Sequence, residues 1–167
     1  MEKYKFTGET KTIDLPFGTV TLHRIKAVVE FGLVKVGDLG GWIEKEENLS
    51  HEENAWVCDN AWVCGNAKVY DNALVYGNAK VCGNAKAFSA DHVLVIGAIG
   101  SRNDFTTFFR DKDNEITVKC GCFLGKIDKF LEKVTQTHKD TKHALVYRAA
   151  VEVAKLQIDL TEKSTRR

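Results

Sequence analysis

Between Asn54 and Ser89 the hydrophobic and polar positions repeat every six residues, as NAWVCD, NAWVCG, NAKVYD, NALVYG, NAKVCG and NAKAFS. Val holds the fourth place in five units (57, 63, 69, 75, 81), and Ala87 holds it in the last. Residues two apart in an extended strand share a face, so each Val lies on the same side as the Ala before it, and these two positions face inward. Each strand closes on Asp or Gly followed by Asn (Asp59-Asn60, Gly65-Asn66, Asp71-Asn72, Gly77-Asn78, Gly83-Asn84), residues that tolerate the left-handed backbone of a sharp corner. A unit this short cannot bury its own apolar residues and must stack on its neighbours.

An aliphatic residue, then Gly or Asp, Asn and a small residue resembles the hexapeptide repeat of left-handed parallel β-helices, in which three hexads make one triangular coil. The resemblance implies pairing at about 18 residues. Carried backward, that register reaches Leu39 and puts Ile43 and Leu49 at inward small-residue positions; carried forward, it reaches Val93 and Ile99. Val57, Val75 and Val93 would then form one interior column, while Lys45 and His51, also inward, mark the first coil as irregular. The expected fold class is mainly β: an N-terminal β cap (1–38), a left-handed parallel β-helix from Leu39 to Ser101 (39–101), and a C-terminal hairpin-helix extension (102–167).

The flanks have their own periodicities. Tyr4 to Gly8 and Thr19 to Ile25 alternate around the lone Pro16, predicting a short β unit that covers the open first coil. Gly32, Gly37, Gly40 and Gly41 lack phosphate-loop spacing and read as tight turns. Phe105 to Arg110 and Glu115 to Phe123 flank the turn-rich Asp111-Lys112-Asp113-Asn114, which predicts a hairpin. Ile127, Phe130, Leu131 and Val134 recur at helical spacing, as do Val146, Ala149, Val153, Leu156 and Leu160. Two helices are expected, the second largely buried because Arg148, Glu152, Lys155 and Asp159 make only a narrow polar stripe. The polar tail from Thr161 to Arg167 reads as frayed.

Composition narrows the function classes. With 167 residues, 44% of them hydrophobic, the chain can bury a core as one compact unit with end caps. A formal charge of +1 gives no broad electrostatic footprint for nucleic acid and no acidic mimic of it. No apolar run is long enough to span a bilayer and no basic-then-apolar leader opens the chain, so a cytoplasmic protein is expected. Five Cys without a leader read as reduced thiols. Cys64 and Cys82, one coil apart, need no disulfide.

Over nearly its whole length the chain resembles a group of uncharacterised bacteriophage and prophage proteins. The resemblance rests on Phe31-Gly32, Lys35, Gly37-Asp38-Leu39-Gly40-Gly41-Trp42-Ile43, Glu44 to Ser50 and the repeats. Ile99 to Asp104 through Cys120-Gly121-Cys122-Phe123 is similar to a module found after other repeat arrays. The resemblance implies a mobile-element protein in the bacterial host cytoplasm and, by association with phage accessory genes, a role against host defence. Better-known hexapeptide proteins are acyltransferases, for which the candidate histidines would be His51 and His92; His92, beside Val93, should point outward.

Candidate chemistry is sparse. Ser101, Arg102, Asn103, Asp104, Thr106, Thr107 and Arg110 form a polar cluster where the repeat meets the hairpin, suited either to a phosphate or nucleotide-like ligand or to capping the last coil. Cys120 and Cys122 share one side of a strand, with His138 and His143 downstream, but one Cys-x-Cys lacks paired zinc spacing. On the wall of Val57 and Val75, Trp56, Cys58, Leu74, Tyr76 and Leu94 face outward with His92, an apolar column that predicts an interface within a homo-oligomer. The sequence reading is therefore a non-catalytic protein without metal or cofactor that binds a host protein or complex. A small-molecule or nucleotide sponge and an acyltransferase-like enzyme stand as alternatives.

Overall fold

The alternating segments around Pro16 form a long antiparallel hairpin of β1 (Tyr4–Leu15) and β2 (Gly18–Ala27). β3 (Leu39–Ile43) adds to β2, placing Arg24 opposite Trp42 and His23 opposite Ile43. Gly40 and Gly41 are not turn residues. They lie within β3, where an added Cβ would stand 2.6 Å from the Ile25 side chain and 2.5 Å from the Ala61 carbonyl respectively, so only glycine lets this strand approach its neighbours.

The hexads follow as β4 (Trp56–Val57), β5 (Trp62–Val63), β6 (Lys68–Val69), β7 (Leu74–Val75), β8 (Lys80–Val81) and β9 (Lys86–Ala87). Pairing is parallel at an interval of 18 residues: β4 with β7, β5 with β8, β6 with β9. Their corners are left-handed at Asp59, Gly65, Asp71, Gly77 and Gly83. The alanines and valines of the units are buried together with Ile25, Ile43, Leu49 and Phe109 in the main core.

The C-terminal part is a four-stranded antiparallel sheet in the order β10 (Val93–Ile99), β11 (Asp104–Arg110), β12 (Ile116–Cys120), β13 (Phe123–Lys126), followed by α1 (Ile127–His138) and α2 (Lys142–Gln157). Ile127, Phe130 and Val134 of α1 and Ala144, Tyr147, Ala150, Val151 and Ala154 of α2 pack with Phe108, Ile116 and Val118 of the sheet in a second core. The hairpin turn is fixed by buried Asp111. Its carboxylate accepts from Thr117 Oγ1 (2.7 Å), Lys126 Nζ (2.8 Å) and the backbone N–H groups of Asp113 and Glu115.

The computed structural model describes residues 1–161. The polar tail expected to fray lies, beyond Thr161, outside the described residues. Among those described, the architecture corrects the expected fold class. In place of a left-handed β-helix over 39–101 there are several small, separate sheets: a mixed one ordered β1-β2-β3-β5-β8, the antiparallel β10 to β13, and the parallel pairs β4-β7 and β6-β9, with two helices. The physical reason lies in the hexad: its corner and approach residues leave only two extended residues per strand, too few for wide ladders, and the N-terminal hairpin joins one of them.

The register differs as well. Ile43 pairs with Val63 and Leu49 with Val69, 20 residues apart, so both occupy valine-type rather than small-residue positions. The two added residues lie between Leu49 and Val57, in the turn that carries left-handed Glu53. Val57 pairs with Val75 as expected, but Val93 leaves that column to pair with Phe109 in the antiparallel sheet. The expected face of α2 is corrected too: of its residues Ala149, Val153 and Leu156 are exposed, and the buried face is the neighbouring one through Ala144, Tyr147, Val151 and Ala154. Alanines let this helix lie close to the sheet, so the smaller side chains face inward.

Candidate functional site

Where β12 turns into β13, Cys120-Gly121-Cys122-Phe123 faces the start of β11's connecting turn on one side and both helices on the other. Ser101, Arg102, Cys120, Cys122, Phe123, Phe130, Lys133, Val134, Thr137, His138 and Tyr147 line a cleft of about 270 Å³ between them. Helical spacing on α1 supplies much of one wall, with Phe130, Val134 and His138 on one row and Lys133 and Thr137 on the next. The apolar floor is an aromatic cluster: Phe123 and Phe130 rings are 5.4 Å apart, and Phe130 meets Tyr147 edge-on at 5.6 Å.

Two glycines make the cleft. At Gly100 (φ 79°) a Cβ would fall on the Tyr147 hydroxyl, and at Gly121 (φ 58°) it would stand 2.6 Å from Arg102 Nη1. Both positions therefore need a left-handed backbone and an absent side chain. Tyr147 lines the cleft with Ser101 and Cys120, and burial followed by the Cys120 thiol pushes the pKa of its hydroxyl up.

The polar rim is cationic. Arg102 Nη2 lies 3.9 Å from Cys122 Sγ, and this guanidinium holds the exposed Cys122 thiol below the usual cysteine range. Lys119, buried behind the turn, donates from Nζ to the Gly121 carbonyl; burial pushes its pKa down. Lys133 and His138 complete the rim, with the His138 ring tilted against Tyr147 at 5.6 Å and against His143 at 5.7 Å. The arrangement offers a guanidinium, an ammonium, an imidazole and hydroxyl groups above an aromatic floor, a donor set suited to a small anion that carries a planar or apolar group.

The polar cluster read from sequence divides in space. Ser101 and Arg102 line the cleft, and Thr106 stands behind it, donating to Cys120 Sγ at 3.5 Å. Asn103 forms the turn, with its N–H on the Gly100 carbonyl. Arg110 braces the repeat instead: it donates to the Lys86 carbonyl at 3.2 Å and to Asn114 Oδ1 at 2.8 Å, and lies over the Phe88 ring. Thr107 Oγ1 accepts from the Lys80 N–H at 2.9 Å. Lys133, Thr137 and Tyr147 were not among the residues singled out in sequence; the α1 row Phe130, Val134, His138 was the signal available for Lys133 and Thr137, and none pointed to Tyr147 on α2.

The wall of apolar outward residues also divides. Trp56 is covered within the chain by Tyr4 and Phe31, Leu94 packs against the helical core, and Cys58, Leu74 and Tyr76 are left half-buried or exposed. His92 does not point outward: it is fully buried, accepting from the Phe88 N–H at 3.1 Å. His51 stacks on Tyr4 and accepts from the Lys3 N–H at 3.0 Å. Each takes a structural hydrogen bond on Nδ1.

No family model matches the chain, and no curated protein matches it in sequence. Among the described residues, no helix is long and apolar enough to cross a membrane.

Proposed function

We propose that this chain is a non-catalytic binding protein of the bacteriophage accessory type, acting in the bacterial host cytoplasm by holding a small anionic, nucleotide-like ligand in the cleft between the β12–β13 turn and the helices. The observation that carries the reading is the convergence of Arg102, Lys133 and His138 over the floor of Phe123 and Phe130. Cation and aromatic surface meet where a phosphate and a base, or another planar acid, could be held together.

Adenosine and guanosine 5′-monophosphate serve as probes in a thermal-shift series. A ligand at about a hundredfold its dissociation constant stabilises the fold by about 2.7 kcal/mol, a shift of several degrees. Arg102→Gln should abolish the shift while leaving the melting temperature of the free protein unchanged. If neither nucleotide raises the melting temperature at about 1 mM, nucleotide-like sequestration is wrong.

A macromolecular partner, such as a host defence protein, is the second reading. It is favoured by one feature outside the cleft: Leu145, Val153 and Leu156 of α2 are 61%, 48% and 89% exposed along one helical face.

A further inference from the structure

The outer face of the mixed sheet carries a row of residues that the cleft does not use. Arg24 of β2 lies opposite Trp42 of β3, Trp42 pairs with Trp62 of β5, and Trp62 pairs with Lys80 of β8, one residue per strand on the same face. The two indoles are nearly covered, at 7% exposure each. What covers them is cationic: Lys11 Nζ stands 4.4 Å and Arg24 5.6 Å from the Trp42 ring, and Lys80 Nζ 5.8 Å from that of Trp62. Beside them on the same face lie Ile13, Leu15, Val20, Leu22, Cys64 and Cys82, a separate apolar cluster, and Ile25, Ile43, Val63 and Val81 of the main core back the sheet from its other face.

Attraction to the rings accounts for each cation singly but not for their grouping. Three positive charges are gathered over two neutral rings, and among the described residues the only carboxylate paired with them is Glu9, 3.7 Å from Arg24. Lys11 shows the cost: burial and then the charges of Arg24 and Lys80 press its pKa down, with only Glu9 opposing. An anion laid across the row would relieve the repulsion, and because an apolar layer backs the cations, its charge would be screened less than on an open surface. The row spans three strand spacings, about 14 Å from Arg24 to Lys80, with Lys11 between. A single small anion reaches only part of that length; a linear one reaches all of it.

We propose that Arg24, Lys11 and Lys80, held over the Trp42 and Trp62 ladder, form a binding site for a linear oligophosphate, separate from the cleft at Arg102. Phosphate fits better than an isolated carboxylate because it offers several acceptor oxygens per group to Lys and Arg donors.

Inorganic tripolyphosphate and orthophosphate are the probes, titrated calorimetrically into the full-length protein at low salt. Tripolyphosphate should bind at least about tenfold more tightly than orthophosphate, with an affinity that falls as salt rises. Lys11→Gln combined with Lys80→Gln should weaken it at least about tenfold, Lys11→Arg with Lys80→Arg should restore it, and Arg102→Gln should leave it unchanged. The arginine pair also serves as the folded control, because it keeps both the charges and the contacts to the rings. Equal affinity for the two probes, or full affinity in the glutamine pair, overturns the site. Loss of binding on Arg102→Gln alone assigns the anion to the cleft and overturns it as well.

Discussion

Asp111 shows how much a single side chain settles. It is 2% exposed and satisfies Thr117, Lys126 and two backbone N–H groups, which ties the β11–β12 turn to β13. Burial by itself would raise its pKa, but Lys126, Thr117 and the backbone donors of Glu115 and Asp113 outweigh it, so the carboxyl titrates below its ordinary value. A depressed folded pKa means the stability is present above the unfolded value, near pH 3.9, and is lost as pH falls through the folded one. Asp111→Asn should cost about 3 kcal/mol at neutral pH, since it leaves Lys126 without its closest partner, and should flatten the acid limb of the stability curve. Chemical denaturation between pH 2 and pH 7 measures both effects; an unchanged acid limb would remove Asp111 from this role.

At the level of elements, the hexad fixes which positions face inward. Val75 is fully buried beside Val57, whereas Lys68, one hexad earlier, is exposed. Val75→Asp should therefore abolish cooperative folding by burying an unpaired charge, while Lys68→Asp should change stability by less than about 0.5 kcal/mol. Far-ultraviolet circular dichroism with thermal melts compares the two, and equal behaviour would contradict the assignment of inside and outside. Much of this was legible in sequence, because Val and Ala at fixed places two apart have one consistent solution. The small, separate sheets were less legible. The periodicity says which residues pair, but how far each ladder extends depends on what joins its edge, and the β1-β2 hairpin reaches only one of them.

For the whole molecule, the surface left over is informative. The outward column of Trp56, Leu74 and Leu94 is partly consumed within the chain, so Trp56→Lys should destabilise the fold by roughly 2 to 4 kcal/mol through lost packing with Tyr4 and Phe31, whatever the oligomeric state. By contrast, Leu145→Asn with Leu156→Asn removes exposed apolar surface and should leave the melting temperature nearly unchanged. Light scattering on the same variant tests the second functional reading: a loss of higher-mass species or of partner capture supports docking on α2, and an unchanged profile with capture intact removes that face from the interface.

The sequence by itself determined the inward positions of the hexads, the 18-residue pairing of β4 to β9, the hairpin around Asp111 to Asn114, and the two helices, since each rests on local periodicity or turn chemistry. Tertiary structure alone decided the rest. The 20-residue register of Ile43 and Leu49 depends on two extra residues in the turn around Glu53, between Leu49 and Val57, whose length no periodicity reveals. Which face of α2 is buried depends on how closely its alanines let it approach the sheet. The cleft brings Arg102, Cys122, Lys133 and Tyr147 together from a turn between strands, the β12–β13 connection and two helices. Residues so far apart in the chain share no spacing rule, and only the packing of the helices on the sheet makes them neighbours.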